Sequence, residues 1–66
     1  MKNASPKTRW RLRGPRGEFV GLDSRLACAF VDEAQAMVFD HRDNVAIKVR
    51  FYSGMIGEDL TVEQLG

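Results

Sequence analysis

The chain has 66 residues, of which 44% are hydrophobic and 29% are charged, with a formal net charge of +1. This length allows one domain with one core, and the composition argues against a disordered chain and against a membrane span of roughly 20 apolar residues. The N-terminal region lacks the apolar segment of a secretory signal, and the single cysteine, Cys28, cannot form an internal disulfide. Both features predict a cytoplasmic protein.

The charges are divided unevenly along the sequence. Residues 1–17 contain six basic residues and no acidic one, whereas residues 18–66 contain four basic and nine acidic residues. A basic segment of this kind can contact a nucleic acid or the carboxylates of its own domain.

Residues 1–7 are small and polar, which predicts a disordered N-terminal tail before a single domain over residues 8–66. From Thr8 to Arg13 polar and apolar residues alternate, which predicts a strand with Trp10 and Leu12 facing the core and the arginines facing away.

The next four residues, Gly14-Pro15-Arg16-Gly17, are typical of a turn. Residues 18–22 then predict the returning strand, with Phe19 and Gly21 on one face. The N-terminal part of the domain is therefore predicted to be a β-hairpin.

Residues 24–31 fit two structures. They can form a third strand, or they can begin a helix, because apolar residues recur every fourth position through residue 38. In either case residues 32–36 predict a helical turn, with Asp32 as its N-cap and Gln35 at the capping-box position.

Residues 44–56 also fit both a strand and a helix. The β-branched residues alternate with polar ones, as in a strand, while Val45, Val49, Tyr52 and Ile56 lie on one helical stripe. We favour the helix, because Asp43 can cap its start and Gly57 can end it in the left-handed conformation. Residues 59–65 predict a final strand, with Leu60, Val62 and Gln64 on one side.

The predicted fold class is α+β. A mostly antiparallel sheet, built from the N-terminal hairpin, a short third strand and a C-terminal strand, carries one main helix packed on one face. In the alternative, residues 25–39 form the helix and residues 45–53 pair with residues 59–65 as a second hairpin.

The run "GEFVGLD … FVDEAQAMVFDHRDN" resembles a pattern found in short bacterial single-domain proteins of unknown function. The matching features are Phe19 after the turn, the acidic and alanine-containing segment 32–36, the pair Val38-Phe39, and the helix that follows Asp43. The resemblance spans residues 9–65 and implies the fold, but it implies no activity and no functional residue.

The arginines of the first strand are the candidate nucleic-acid contacts. Alternate residues of a strand lie about 6.6–6.8 Å apart, close to the spacing of successive phosphates, and guanidinium groups bind phosphate oxygens well. Cationic residues on an exposed strand also keep small domains soluble and pair with acids of the same domain, here Glu18 or the acids within residues 59–63, so a solvated face is favoured. The candidate phosphate contacts are Arg9, Arg11, Arg13 and Arg16.

No combination of residues predicts catalysis. His41 is the only histidine, and with Cys28 it completes neither a zinc site nor an activated nucleophile. The acidic residues lie near the ends of predicted elements, where they suit helix caps and turns. We therefore predict no catalytic residue, no metal and no cofactor.

An apolar cluster near the end of the predicted helix can serve as core or as an interface. The sequence thus predicts a small non-enzymatic protein-interaction module that binds another protein or itself as a homodimer. The alternative is a weak, sequence-tolerant nucleic-acid binder that uses the four arginines. The candidate interface residues are Phe51, Tyr52, Met55 and Ile56.

Overall fold

A computed structural model describes residues 8–65. The tail predicted for residues 1–7 lies outside the described residues. Within these residues the elements are five strands and one α-helix, with a short 3-10 turn at Glu33–Gln35 between the third and fourth strands. They are β1 (Arg9–Arg13), β2 (Phe19–Leu22), β3 (Cys28–Val31), β4 (Phe39–Asp40), α1 (Val45–Ile56) and β5 (Thr61–Gln64). The predicted α+β class, a mostly antiparallel sheet with one main helix, is confirmed.

Strand β1 lies at the centre of the sheet. It pairs with β5 along its length, from Trp10 opposite Gln64 to Arg13 opposite Thr61. Its other edge is shared by β2, which pairs at Arg13, and by β4, which pairs at Arg9 and Trp10. All of these pairings are antiparallel. Among the described strands, β1 has the most neighbours in the sheet.

The turn between β1 and β2 has the predicted position. The N–H of Gly14 donates to Glu18 O over 2.9 Å, and the N–H of Gly17 donates to Gly14 O over 3.0 Å. Gly17 has a φ of 85°, a left-handed conformation that a glycine adopts without strain. The predicted hairpin is confirmed.

Strand β2 also contacts the segment that precedes β4. Gly21 pairs with Ala29 of β3 and forms a bridge with Ala36 on its other side. A Cβ atom at Gly21 would lie 2.5 Å from the backbone oxygen of Gln35, so only glycine allows this close approach.

The core lies between the sheet and α1. Leu12 and Val20 are 1% and 0% exposed, and Phe39 and Leu60 are also buried. Leu12 therefore faces the core as predicted, while Trp10 is only partly buried. Three helix residues pack against this cluster: Val49, Tyr52 and Ile56.

Both ends of α1 have caps, one of them at a different residue from the one predicted. Asn44, not Asp43, is the N-cap, and its Oδ1 accepts a hydrogen bond from Ile47 N over 3.2 Å. The carboxylate of Asp43 instead accepts from Asp40 N over 2.9 Å. Gly57 has a φ of 78° and ends the helix as predicted.

The alternative arrangement of the middle of the chain is wrong. Residues 25–39 contain β3 and the 3-10 turn rather than a long helix, and residues 45–53 are helical. The carboxylate of Asp23 accepts hydrogen bonds from Arg25 N and Ala27 N, which holds residues 23–27 in a turn before β3. Asp32 precedes the 3-10 turn but its side chain makes no cap hydrogen bond there.

Candidate functional site

The solvent-facing side of α1 carries a stripe of large apolar side chains. Ile47, Phe51 and Met55 are 61%, 57% and 59% exposed. They lie four residues apart, so they share one helix face. We call these three residues the outer stripe.

A neighbouring face of α1 packs on the core. Tyr52 and Ile56 contact the core cluster, so two of the four predicted interface residues point inward and two, Phe51 and Met55, point to solvent. The helix therefore carries two apolar stripes, one packed on the core and one exposed in the single chain.

The inner aromatic residues support the outer stripe. The ring of Phe51 meets the ring of Tyr52 edge-on, with centroids 5.0 Å apart and an interplanar angle of 76°. The ring centroid of Tyr52 in turn lies 6.1 Å from that of Phe39, which is buried. Edge-on aromatic contact of this kind is favourable, so Phe51 is held in place although it faces solvent.

Ile47 was not among the predicted interface residues. The signal that identifies it is present in the sequence, because residues 47, 51 and 55 form a second helical stripe beside the one through Val45, Val49, Tyr52 and Ile56. The boundary of the outer stripe is polar or small. Lys48 and Arg50 flank it, and Gly54 lies next to it with no atom within 4 Å of a Cβ placed there.

The arginines of β1 lie on the other face of the sheet from Leu12 and are engaged by carboxylates. Arg11 donates from Nε to Glu63 and from Nη1 to Glu33, the latter over 3.1 Å. Arg13 donates from Nη1 to the same Glu63 oxygen over 3.1 Å. Glu63 therefore bridges two of the four candidate phosphate contacts.

Arg11 and Arg13 also lie over the aromatic ring of Phe19. The guanidinium carbons of Arg11 and Arg13 lie 4.5 Å and 4.1 Å from the centroid of its ring. The hydrogen bond that Arg11 donates to Glu63 raises the pKa of Arg11, and the hydrogen bonds that Glu63 accepts from Arg11 and then Arg13 lower the pKa of Glu63. Each guanidinium is thus placed between an aromatic face and a carboxylate.

The remaining two candidates differ from each other. Arg16 pairs with Glu18 over 2.8 Å and lies 3.6 Å from Glu58. Arg9 is exposed. Three of the four candidate arginines are therefore paired with acidic residues that come later in the chain.

A groove with a volume of about 410 Å³ lies beside the end of β3. Its lining includes Leu22, Phe30 and Val31 together with Asp23 and Asp32. The Asp23 carboxylate already accepts hydrogen bonds from two backbone N–H groups of the turn before β3.

The single cysteine and the single histidine of the sequence lie in different elements of the fold. His41 is exposed in the turn after β4, whereas Cys28 starts β3 and packs against the core. Burial raises the pKa of the Cys28 thiol, which disfavours the reactive thiolate. Within residues 8–65, no group of three or more His, Cys, Asp or Glu side chains is placed to hold a metal ion.

Across the described part of the chain, α1 is the one α-helix, and it is too short and too polar to cross a bilayer. No family of proteins, no curated protein and no solved structure matches the sequence or the fold. The resemblance to short bacterial proteins therefore stays a prediction from the sequence.

Proposed function

We propose that this chain is a small non-enzymatic protein-interaction module of the cytoplasm that binds its partner through the outer stripe of α1. The observation that carries the proposal is the exposure of Ile47, Phe51 and Met55 on one helix face, directed away from the core. Large apolar residues that lie singly on a surface are ordinary, but a contiguous group marks an interaction site.

The energetics favour a covered stripe. Removing each half-exposed apolar side chain from water contributes about 1–2 kcal/mol to association. Phe51 lies at the centre of the stripe and is held by Tyr52, so little side-chain freedom remains to be lost on binding. A pre-ordered central aromatic residue is typical of the residues that dominate binding energy at interfaces.

Nucleic-acid binding through the arginines receives less support. Arg11, Arg13 and Arg16 each have a carboxylate partner, so phosphate would have to compete with a neighbouring acid of the same molecule. The proposed cytoplasmic location rests on the single cysteine, which cannot form a disulfide with another cysteine of these 66 residues.

A photo-crosslinking amino acid placed on the outer stripe tests the proposed function. We would introduce benzoylphenylalanine at Ile47, Phe51 or Met55 in cells that express the chain, with Leu26 as the control because it is exposed but lies in the turn before β3. The expected result is one product, identified by mass spectrometry as the same protein from all three stripe positions and absent from position 26. Equal products from the control, or none from the stripe, would overturn the proposal.

A further inference from the structure

We propose that the partner is a second copy of this chain, docked so that the two α1 helices run antiparallel about a two-fold axis at Phe51. This inference rests on the proposed function and names the molecule that covers the outer stripe. Three properties of the helix support it: the symmetry of the stripe, the placement of charge, and the space at Gly54.

The outer stripe has the symmetry that a two-fold interface needs. In such an interface residue i of one copy contacts residue j of the other, and j contacts i. Phe51 lies near the middle of α1, with Ile47 four residues before it and Met55 four residues after it. Two antiparallel helices centred on Phe51 therefore place Phe51 against Phe51, and Ile47 against Met55.

The charges at this face favour antiparallel copies over parallel ones. Within α1 the charged residues are Lys48 and Arg50, with no acidic residue in the first turn and no basic residue in the last. Glu58 and Asp59 follow the C-terminal cap. An antiparallel copy brings its Asp59 towards the positive N-terminal end of α1 and its Lys48 towards the negative C-terminal end.

A parallel pair of helices has the opposite effect. It would align the two helix dipoles and bring like ends of the helices together, which is unfavourable. It would also keep the acidic residues after α1 away from the N-terminal end of the partner helix, so the parallel arrangement is disfavoured.

Gly54 leaves room for the second helix. A Cβ placed at Gly54 has no atom within 4 Å, so the fold of the single chain does not require a glycine there. Glycine is a poor residue for the middle of a helix. In the antiparallel pair the partner's Lys48 lies opposite Gly54, and the aliphatic part of that lysine can cross the open position.

The size of the outer stripe indicates a weak dimer, because each copy contributes three large exposed apolar side chains. Small interfaces bind weakly, so we expect a dissociation constant in the micromolar range.

Disulfide trapping tests the geometry. In a Cys28→Ser background we would make the single variants Ile47→Cys, Phe51→Cys and Met55→Cys and oxidise each of them alone and in mixtures. Antiparallel docking predicts a rapid homodimer for Phe51→Cys, and a rapid mixed dimer between Ile47→Cys and Met55→Cys. It predicts slow reaction of Ile47→Cys with itself, because those positions lie about 12 Å apart along the helix axis, beyond the reach of a disulfide.

Sedimentation equilibrium of the unmodified chain tests the association itself. Between roughly 1 µM and 1 mM we expect a monomer–dimer equilibrium, and Phe51→Glu should weaken it by about 30-fold or more. Leu26→Glu is the matched control, since it adds the same charge at an exposed position off the helix and should leave the equilibrium unchanged.

The outcomes separate this inference from the proposed function. Rapid self-linkage of all three cysteine variants would overturn the antiparallel arrangement. A monomer at all concentrations, together with photo-crosslinks from the stripe to a different protein, would overturn the second copy as partner and support the proposed function. A monomer without specific photo-crosslinks would overturn both.

Discussion

The guanidinium carbon of Arg13 lies 4.1 Å from the centroid of the Phe19 ring, and the two residues are directly paired across the first hairpin. The same guanidinium also donates to Glu63, which lies on the strand at the other edge of β1. One arginine thus connects three strands, β2 through an aromatic face and β5 through a carboxylate. A cation that contacts both an aromatic ring and a carboxylate contributes more to the stability of the fold than an isolated surface ion pair does.

Replacing Glu63 with glutamine should lower the midpoint of thermal unfolding at neutral pH, because both Arg11 and Arg13 lose their shared carboxylate. The pKa of Glu63 lies below its usual value of 4.5, mainly through the hydrogen bond from Arg11. Its ionised form therefore stabilises the fold above that pH, and the stabilisation is lost as the pH falls below it. Wild type and Glu63→Gln should converge in acid.

Glu33→Gln is the control for this comparison. Glu33 is exposed and contacts Arg11 but not Arg13. Its replacement should therefore lower the midpoint of thermal unfolding less than Glu63→Gln does. Equal unfolding midpoints of wild type and Glu63→Gln at neutral pH would contradict the importance of the bridging carboxylate.

Removing carboxylates from the arginine cluster should increase binding to a single-stranded oligonucleotide. Wild type should bind weakly at low salt, and the double variant Glu33→Gln/Glu63→Gln should bind about tenfold more tightly, with a steeper loss of affinity as salt rises. Two carboxylates that compete with phosphate for Arg11 and Arg13 are then absent.

The matched comparison uses Asp32→Asn combined with Asp59→Asn, which changes the net charge by the same amount at exposed positions. Equal gains in affinity from both double variants would show that overall charge, and not release of the arginines, controls binding. Fluorescence anisotropy over a series of salt concentrations measures both the affinity and its salt dependence.

Leu12→Ala should unfold most of the protein. Leu12 is 1% exposed, and truncation of a buried leucine costs about 2–5 kcal/mol. That loss is similar to the whole stability of about 3–5 kcal/mol that a core of this size supplies. Urea denaturation followed by circular dichroism measures the change.

Ile47→Ala should change the stability of the single chain by less than about 0.5 kcal/mol when measured at low protein concentration. The side chain is 61% exposed, so the monomer loses little buried apolar surface. A loss comparable to that of Leu12→Ala would mean that Ile47 belongs to the core of the single chain rather than to a docking surface.

Two glycine substitutions should have effects of opposite sign. Gly21→Ala places a Cβ 2.5 Å from the oxygen of Gln35 and 2.8 Å from a methyl carbon of Val31, so it should destabilise the fold by about 1–3 kcal/mol. Gly54→Ala meets no atom within 4 Å and should stabilise the isolated chain by about 1 kcal/mol through helix propensity. Thermal unfolding of both variants at low concentration tests the contrast, and a shift of the same sign in both would contradict it.

The hairpin and the helix were predictable because their signals are local. The alternation of residues 8–13 and the turn residues after them describe the hairpin, and Gly57 marks the end of α1. The N-cap was assigned to Asp43 rather than Asn44, because the sequence does not show that the Asp43 carboxylate is already engaged by Asp40 N.

Strand β4 was not predictable from the sequence. It has two residues, Phe39 and Asp40, and no periodic pattern of its own. It is extended because it pairs with Arg9 and Trp10, about 30 residues earlier in the chain. A strand that depends on its partner for its conformation has no local signal to read.

The candidate site was partly predictable for a related reason. The sequence shows two apolar stripes on α1, but only the packing of the sheet decides which stripe is buried, so Tyr52 and Phe51 could not be separated in advance. The pairing of Arg11 with Glu63 depends on the register between β1 and β5, and 52 positions separate the two residues.

The adjacency of β1 and β5 has a consequence for how the chain reaches its native state. During synthesis the hairpin and α1 leave the ribosome before β5 does, so one edge of β1 stays unpaired until nearly all of the described residues have emerged. Contacts between distant parts of a chain slow folding, and an open strand edge can pair with another nascent chain. Of the strands described, the last to be made is therefore the one that protects the first from aggregation.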